Sequence, residues 1–178
     1  MKEYKTYRGA LIGVRADSFN LKYVPNKLID YNLCLVAIKR NGLALSEIPK
    51  QFIDYNLCLE AVKECGSALY RVPKKFINYN LCLFAVKQNG YALKYIPKKF
   101  KDYNLCLEAV KECGYILGLE YGRIPEKFRD LKMYLTACKN ADLILKYVPE
   151  KYQDIIKEEI KSWLIFQKQL KMNTCYVK

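Results

Sequence analysis

Apolar residues recur along this chain in a helical pattern that repeats at a fixed distance. Residues 54–66 read D-Y-N-L-C-L-E-A-V-K-E-C-G, the same letters return at 102–114, and looser copies begin at Asp30 and Asn78. The apolar positions of this stretch cover more than one narrow helical stripe. They predict an α-helix over residues 55–64 that is buried on two sides, as in a stack of helices.

Prolines mark the same period. They are 24 residues apart except for one interval of 28, and they stand at Pro25, Pro49, Pro73, Pro97, Pro125 and Pro149. A fixed period of this length is typical of solenoids. We therefore predict an all-α helical-repeat solenoid of about five 24-residue helix-turn-helix units, with a degenerate N-terminal repeat and a C-terminal capping helix.

One unit can be assigned residue by residue. Asp54 is a good N-cap, because its carboxylate can accept a hydrogen bond from a free amide of the first turn. Gly66 is expected to end the helix in the C′ position. A second, short helical segment is predicted over residues 67–71. Pro73 ends that segment and opens a further turn over residues 73–77.

The ends of the chain depart from the repeat and are expected to cap it. We predict a single domain, 1–178, divided into an N-terminal cap repeat at 1–24, repeats at 25–148, a cap helix at 149–170 and a tail at 171–178. Four additional residues, most simply 118–121, precede Gly122 in the fifth unit. Glycines on both sides of this insertion predict a loop.

A family resemblance rests on the repeat residues themselves. The pattern L-C-L-x-A-V-K-x-x-G-x-A-L-x-x-[VI]-P-x-x-[FL], read at residues 57–63, Gly66, 68–69 and 72–73, resembles the short helical repeats of the bacterial DUF4116 family, a domain of unknown function. The resemblance covers about residues 21–149. It implies a helical-repeat fold and implies no activity.

Composition adds a charge argument. The net charge is +13, from 31 basic and 18 acidic residues, and 52% of the residues are hydrophobic. Such a balance indicates an anionic partner, or a lysine-rich surface that only keeps the chain soluble. Residues 1–10 contain no apolar signal region, and no stretch approaches the ~20 apolar residues of a membrane span. We expect a cytoplasmic chain, no membrane partner and a monomer.

Candidate chemistry is sparse. Histidine is absent, so nucleophilic catalysis lacks its usual base, and no C-x-x-C occurs among the eight cysteines. Four cysteines stand in one register and are expected to pack in the core as free thiols: Cys34, Cys58, Cys82 and Cys106. We expect no enzymatic activity, no metal site and no cofactor.

Residues that differ between repeats are the first candidates for recognition, because the invariant positions hold a solenoid together. On the predicted helices the varying positions form pairs four residues apart, and they are Val36, Arg40, Glu60, Glu64, Phe84, Gln88, Glu108 and Glu112. Val36 and Phe84 would be exposed apolar residues. The paired glutamates suit a cation site or a hydrolase, or a solvated face with ion pairs to Lys63 and Lys111.

A basic row is the second candidate. Lysines fall two residues after most prolines, at Lys27, Lys75, Lys99, Lys127 and Lys151. Tyrosines fall six residues after the prolines, at Tyr31, Tyr55, Tyr79 and Tyr103. Lysines beside aromatic rings suit RNA or single-stranded nucleic acid. The alternative is that the tyrosine rings pack between repeats with only the hydroxyl in water.

Two functions follow from these rows. The chain is expected to be a non-catalytic protein-binding scaffold that occupies or bridges a partner, for example an inhibitor or adaptor of a nucleoprotein machine in the manner of an anti-CRISPR protein. The alternative is a basic solenoid that binds RNA or single-stranded nucleic acid through the lysine row. The glutamates would oppose phosphate binding if both rows shared a surface.

Overall fold

A computed structural model of the chain describes residues 4–118 and 124–175, and every regular element within these ranges is helical. The predicted all-α repeat fold is confirmed. The α-helices are α1 (Tyr7–Ala16), α2 (Tyr31–Arg40), α3 (Tyr55–Glu64), α4 (Tyr79–Gln88), α5 (Tyr103–Glu112), α6 (Leu131–Asn140) and α7 (Glu150–Cys175).

Each α-helix before α7 is followed by a short 3₁₀ helix. These helices are Ser18–Tyr23, Gly42–Glu47, Gly66–Arg71, Gly90–Tyr95, Gly114–Gly118 and Asp142–Tyr147. The second helix of a unit is 3₁₀ rather than α because it spans at most six residues before the segment that leads into the next proline.

A second, smaller 3₁₀ turn follows the proline of each repeat. We call the proline and the residues of this turn the Pro turn. The turns are Asn26–Leu28, Lys50–Phe52, Lys74–Phe76, Lys98–Phe100 and Glu126–Phe128. The predicted segments 67–71 and 73–77 are therefore both helical, and both are 3₁₀.

The units stack in two layers. Each α-helix contacts the α-helix of the next repeat, and the 3₁₀ helices contact one another from Ser18–Tyr23 through Gly90–Tyr95 and again between Gly114–Gly118 and Asp142–Tyr147. Leucine, cysteine and alanine at equivalent helix positions are fully buried between the layers, as Leu57, Cys58 and Ala61 show in α3. Burial of such side chains is the main favourable term in the folding free energy of the stack.

The N-caps connect adjacent repeats. Asp54 accepts a hydrogen bond from the backbone amide of Leu57 at 2.7 Å, as predicted. The same carboxylate oxygen accepts a hydrogen bond from the Tyr31 hydroxyl of the preceding repeat at 3.3 Å. Tyr79 and Asp102 repeat this contact. One carboxylate therefore caps its own helix and holds the first residue of the helix before it.

Gly66 follows the C-cap of α3 and so occupies the predicted C′ position, but the reason for a glycine there is different from the predicted one. Gly66 begins the 3₁₀ helix, and the residue that caps α3 is Cys65, whose backbone is extended. A Cβ atom on Gly66 would overlap the carbonyl oxygen of Ala85 in the next α-helix. The glycine is therefore required by a close approach of two backbones, and not by a left-handed cap.

The cysteine register lies in the core as predicted. Cys34, Cys58, Cys82 and Cys106 are fully buried and are free thiols. Burial raises the pKa of the Cys82 thiol from 9.0 to about 11. These thiols pack as small hydrophobic groups and stay protonated at neutral pH.

The two ends of the stack differ. At the N-terminal end, the Tyr4 ring lies against Gly13 of α1. At the other end α7 begins after Pro149 and continues to Cys175, beyond the predicted helix end at 170. Ile156 is buried, whereas much of the second half of α7 is exposed. The predicted loop at 118–122 lies largely outside the described residues.

We expect Gly66→Ala to destabilise the chain by at least about 2 kcal/mol, because the new methyl group must displace the backbone of α4. Urea unfolding measures this change in the free energy of unfolding. The matched control is Lys87→Ala on the exposed side of α4, which should change stability by no more than about 0.5 kcal/mol. Equal small effects for both variants would contradict the close contact.

We also expect a pH dependence from Cys82. Between pH 9 and about 11 the folded chain keeps the thiol proton that the unfolded chain releases, so stability falls as the pH rises. When the pH is raised from about 8 to about 10, the free energy of unfolding should fall by roughly 1 kcal/mol less for Cys82→Ala than for the parent chain. Urea unfolding at the two pH values gives both losses. Identical losses would show that the thiol is not desolvated.

Candidate functional site: a basic face on the 3₁₀ layer

The predicted lysine row lies on the Pro turns and at the start of α7, and all five lysines are exposed: Lys27, Lys75, Lys99, Lys127 and Lys151. Four of them hold their ammonium group over the ring of the following residue. The distances from Nζ to the ring centroid are 4.7 Å for Lys75–Phe76, 4.8 Å for Lys99–Phe100, 4.9 Å for Lys127–Phe128 and 4.7 Å for Lys151–Tyr152. Each phenylalanine or tyrosine side chain anchors its turn and positions a cation beside it.

A second row of basic and aromatic pairs was not predicted from the sequence. It lies at the end of the six-residue 3₁₀ helices and comprises Lys22–Tyr23, Arg71–Tyr70, Lys94–Tyr95 and Lys146–Tyr147. The sequence contains a signal for this row. A basic residue and a tyrosine are adjacent immediately before the Val-Pro or Ile-Pro pair in these repeats.

The two rows meet in grooves that recur from one repeat to the next. The first groove has a volume of about 480 Å³ and is lined by Leu45, Ser46, Ile48, Lys50, Ile53, Arg71, Pro73, Lys75 and Phe76. The second has about the same volume, 480 Å³, and is lined by Leu69, Tyr70, Val72, Lys74, Ile77, Tyr95, Pro97, Lys99 and Phe100. Each residue that lines the second groove is the equivalent, one repeat later in the chain, of a residue that lines the first groove.

Each groove combines an apolar floor with cations at its edge. Lys74 and Lys99 flank the second groove, where the Tyr70 and Tyr95 rings lie with centroids 5.3 Å apart. Lys75 and Lys99 form no ion pair with any described residue. These ammonium groups are therefore available to an anionic partner, and the rings are available for stacking.

We call this surface the basic face. It comprises the cations of the 3₁₀ helices, the Pro turns and the first turn of α7, namely Lys22, Lys27, Lys50, Arg71, Lys74, Lys75, Lys94, Lys98, Lys99, Lys127, Lys146 and Lys151. Within the described ranges, the acidic residues of these segments are Glu47, Glu126, Asp142 and Glu150, against the twelve cations named. The excess of positive charge is therefore concentrated on this layer.

The predicted tyrosines are not free members of the basic face. Tyr31, Tyr79 and Tyr103 donate their hydroxyl protons to N-cap aspartates of the following repeat. Partial burial, followed by the hydrogen bond to Asp102, raises the pKa of Tyr79 above 10.0. The alternative of packing between repeats is thus the better description of these rings. In the repeat after Tyr55 the N-cap is an asparagine, Asn78, and Tyr55 is half-buried.

The varying helix positions lie on the α-layer. Phe84 is 43% exposed, whereas Val36, which was expected to be exposed, is half-buried against the core. Arg40, Glu64, Gln88 and Glu112 are exposed. Val36 is therefore a weaker candidate for a contact than Phe84.

Two of the four glutamates at these positions have ion-pair partners within their own helices. Glu60 accepts from Lys63 at 2.9 Å, and Glu108 accepts from Lys111 at 2.6 Å. These ion pairs, together with the exposure of Glu64 and Glu112, explain the acidic positions as a solvated helix face. In the described ranges no three acidic, cysteine or histidine residues are grouped as a metal site would require.

A separate groove lies beside Phe84. Its volume is about 370 Å³ and its lining is Tyr55, Asn80, Leu83, Phe84 and Lys87, all from α3 and α4. The two basic grooves contain no residue of an α-helix. No glutamate of the varying helix positions lines the two basic grooves, and this removes the objection that those glutamates would face a bound phosphate backbone.

Comparison with known proteins identifies one family. The model of DUF4116, a domain of unknown function, matches residues 54–101 and 78–119. No curated protein and no solved structure showed a significant match to the chain. No helix in the described part of the chain is both long enough and apolar enough to span a membrane.

Proposed function

We propose that this chain, whose residues 54–119 form a DUF4116-type domain, is a binding solenoid that holds single-stranded RNA or a similar nucleic acid on its basic face. One observation supports the proposal most strongly. The same groove, with two lysines at its edge, recurs in successive repeats. A repeated cationic groove suits a polymer whose charges also repeat.

The chemistry of the groove fits nucleic acid in two ways. The lysines neutralise phosphates without geometric demands, and neutralisation releases counterions from the polymer. The exposed ring of Tyr70 and the half-buried ring of Tyr95 supply a surface on which a base can stack. Neither contact selects a sequence, so the expected binding is tolerant of sequence and sensitive to salt.

A second candidate function rests on the groove beside Phe84. Its exposed ring and apolar neighbours suit a protein partner, since exposed apolar patches tend to be contact sites. In that case the chain acts as a scaffold that occupies or bridges the partner, as an inhibitor or adaptor does. Arg40, Glu64, Gln88 and Glu112 would then decide partner choice.

The test for nucleic acid is charge reversal on one layer compared with the other. We expect the combined variant Lys74→Glu, Lys75→Glu, Lys98→Glu and Lys99→Glu to weaken binding of a fluorescent oligouridine of about 20 nucleotides by at least about tenfold. The slope of log K against log salt should become shallower by about 0.7 for each phosphate that the variant no longer neutralises. Fluorescence anisotropy at several salt concentrations measures both quantities.

The matched control reverses four exposed cations of the α-layer, in the variant Lys39→Glu, Arg40→Glu, Lys87→Glu and Lys132→Glu. Its net charge equals that of the first variant, and its affinity should stay within about threefold of the parent chain. Equal losses in both variants would assign the binding to overall charge. Absence of binding by the parent chain would refute the proposed function, and a protein complex that Phe84→Asp alone disrupts would favour the second candidate.

A further inference from the structure

An apolar groove that belongs to neither of these surfaces lies at the C-terminal end of the stack. Its volume is about 510 Å³, and it is lined by Cys138, Leu145, Lys157, Ile160, Lys161, Leu164, Ile165 and Lys168. One wall is the last repeat, α6 with its 3₁₀ helix, and the other wall is α7.

The groove exists because the stack ends there. Leucines equivalent to Leu145 are buried in earlier repeats, with exposures of 0% at Leu21, 2% at Leu45, 1% at Leu69 and 0% at Leu93. For Leu21, Leu45 and Leu69, the 3₁₀ helix of the following repeat packs against the segment that carries the leucine, and for Leu93 the α-helix of the following repeat, α5, packs against it. Leu145 is only half-buried, because α7 continues as one α-helix and no described 3₁₀ helix follows it.

The wall formed by α7 continues the apolar surface outward. Leu164 is 48% exposed and Ile165 is 51% exposed, while Ile160, one turn before Leu164, is half-buried. A segment laid along this groove would cover these side chains together with Leu145. The site is therefore shaped for an apolar stripe of helical spacing.

The charges at the edge of the groove decide what kind of segment fits. Lys157, Lys161 and Lys168 line it, and all three are exposed. Lys157 is paired with Asp154 at 2.9 Å, whereas Lys161 and Lys168 form no ion pair with any described residue. A partner whose polar side is acidic would match this edge, and a second copy of this chain, with its net charge of +13, would meet like charge.

We propose that this groove binds an acidic amphipathic helix of another protein. The apolar stripe of that helix packs on Leu145, Ile160 and Leu164, in the place that a further repeat would take. Its carboxylates accept hydrogen bonds from Lys161 and Lys168. The site shares no lining residue with the two basic grooves, so the chain can hold a protein at its end while nucleic acid lies in those grooves.

The test uses two labelled synthetic peptides of about 16 residues that carry leucine at helical spacing and differ only in their polar residues, all glutamate or all lysine. The full chain should bind the acidic peptide and should bind the basic one at least about tenfold more weakly. Two variants should each weaken the binding of the acidic peptide by at least about tenfold. One is Leu164→Glu, and the other combines Lys161→Glu with Lys168→Glu.

Phe166→Glu is the matched control, because Phe166 lies two residues from Leu164 and points away from the groove. This variant should bind the acidic peptide with an affinity within about twofold of the parent chain. Oligouridine should not displace the peptide from the parent chain. Circular dichroism confirms that each variant is folded.

Three results would overturn the proposal. The first is absence of binding of the acidic peptide, or equal binding of both peptides. The second is dimerisation of the chain that Leu164→Glu abolishes, observed by sedimentation, which would assign the groove to a second copy. The third is binding to phosphatidylserine vesicles that Leu164→Glu abolishes while the acidic peptide fails to bind, which would assign it to a lipid surface.

Discussion

The stack depends on one close backbone contact, made where each 3₁₀ helix begins. Gly42, Gly66, Gly90 and Gly114 each lie so near an alanine carbonyl of the next α-helix that a Cβ atom would overlap it. This contact fixes the distance between successive repeats. The buried leucines, cysteines and alanines, and the aspartate that caps one helix and accepts a tyrosine hydroxyl from the previous one, all fit that distance. Variation is left to the outer positions.

A fixed distance between repeats also determines what the surface can bind. Because each repeat places its Pro turn in the same position, lysines and aromatic rings recur in register and form equivalent grooves on the 3₁₀ layer. The α-layer carries charges of both signs, some of them paired within one helix, such as Glu60 with Lys63. The solenoid therefore separates a cationic surface from a mixed one, and its uncovered C-terminal end provides a third surface of different character.

The sequence was sufficient for the repeat, the bounds of α3 and the N-cap at Asp54, because periodicity and capping are local signals. It placed Gly66 correctly after the end of α3 but not the reason for a glycine there, because a close approach between repeats decides that residue and no local pattern reveals it. The same limit applies to the surfaces. The sequence identified Lys75 and Lys99, but whether such a lysine lies in a groove with Glu60 or, as Lys99 does, with Tyr70 depends on how the two layers pack. The sequence also left open the role of the tyrosines at 31, 79 and 103, whose hydroxyl groups donate hydrogen bonds to aspartates in the structure.

The claim that nucleic acid binds on the 3₁₀ layer is tested most directly by a lysine footprint of the folded chain. Acylation with and without bound oligouridine, read residue by residue by mass spectrometry, reports on both layers in one experiment. The account predicts protection of Lys50, Lys74, Lys75 and Lys99, with unchanged reactivity at Lys39, Lys63, Lys87 and Lys111. Protection of the α-layer lysines, with the basic grooves still reactive, would contradict the assignment of the 3₁₀ layer as the nucleic-acid surface.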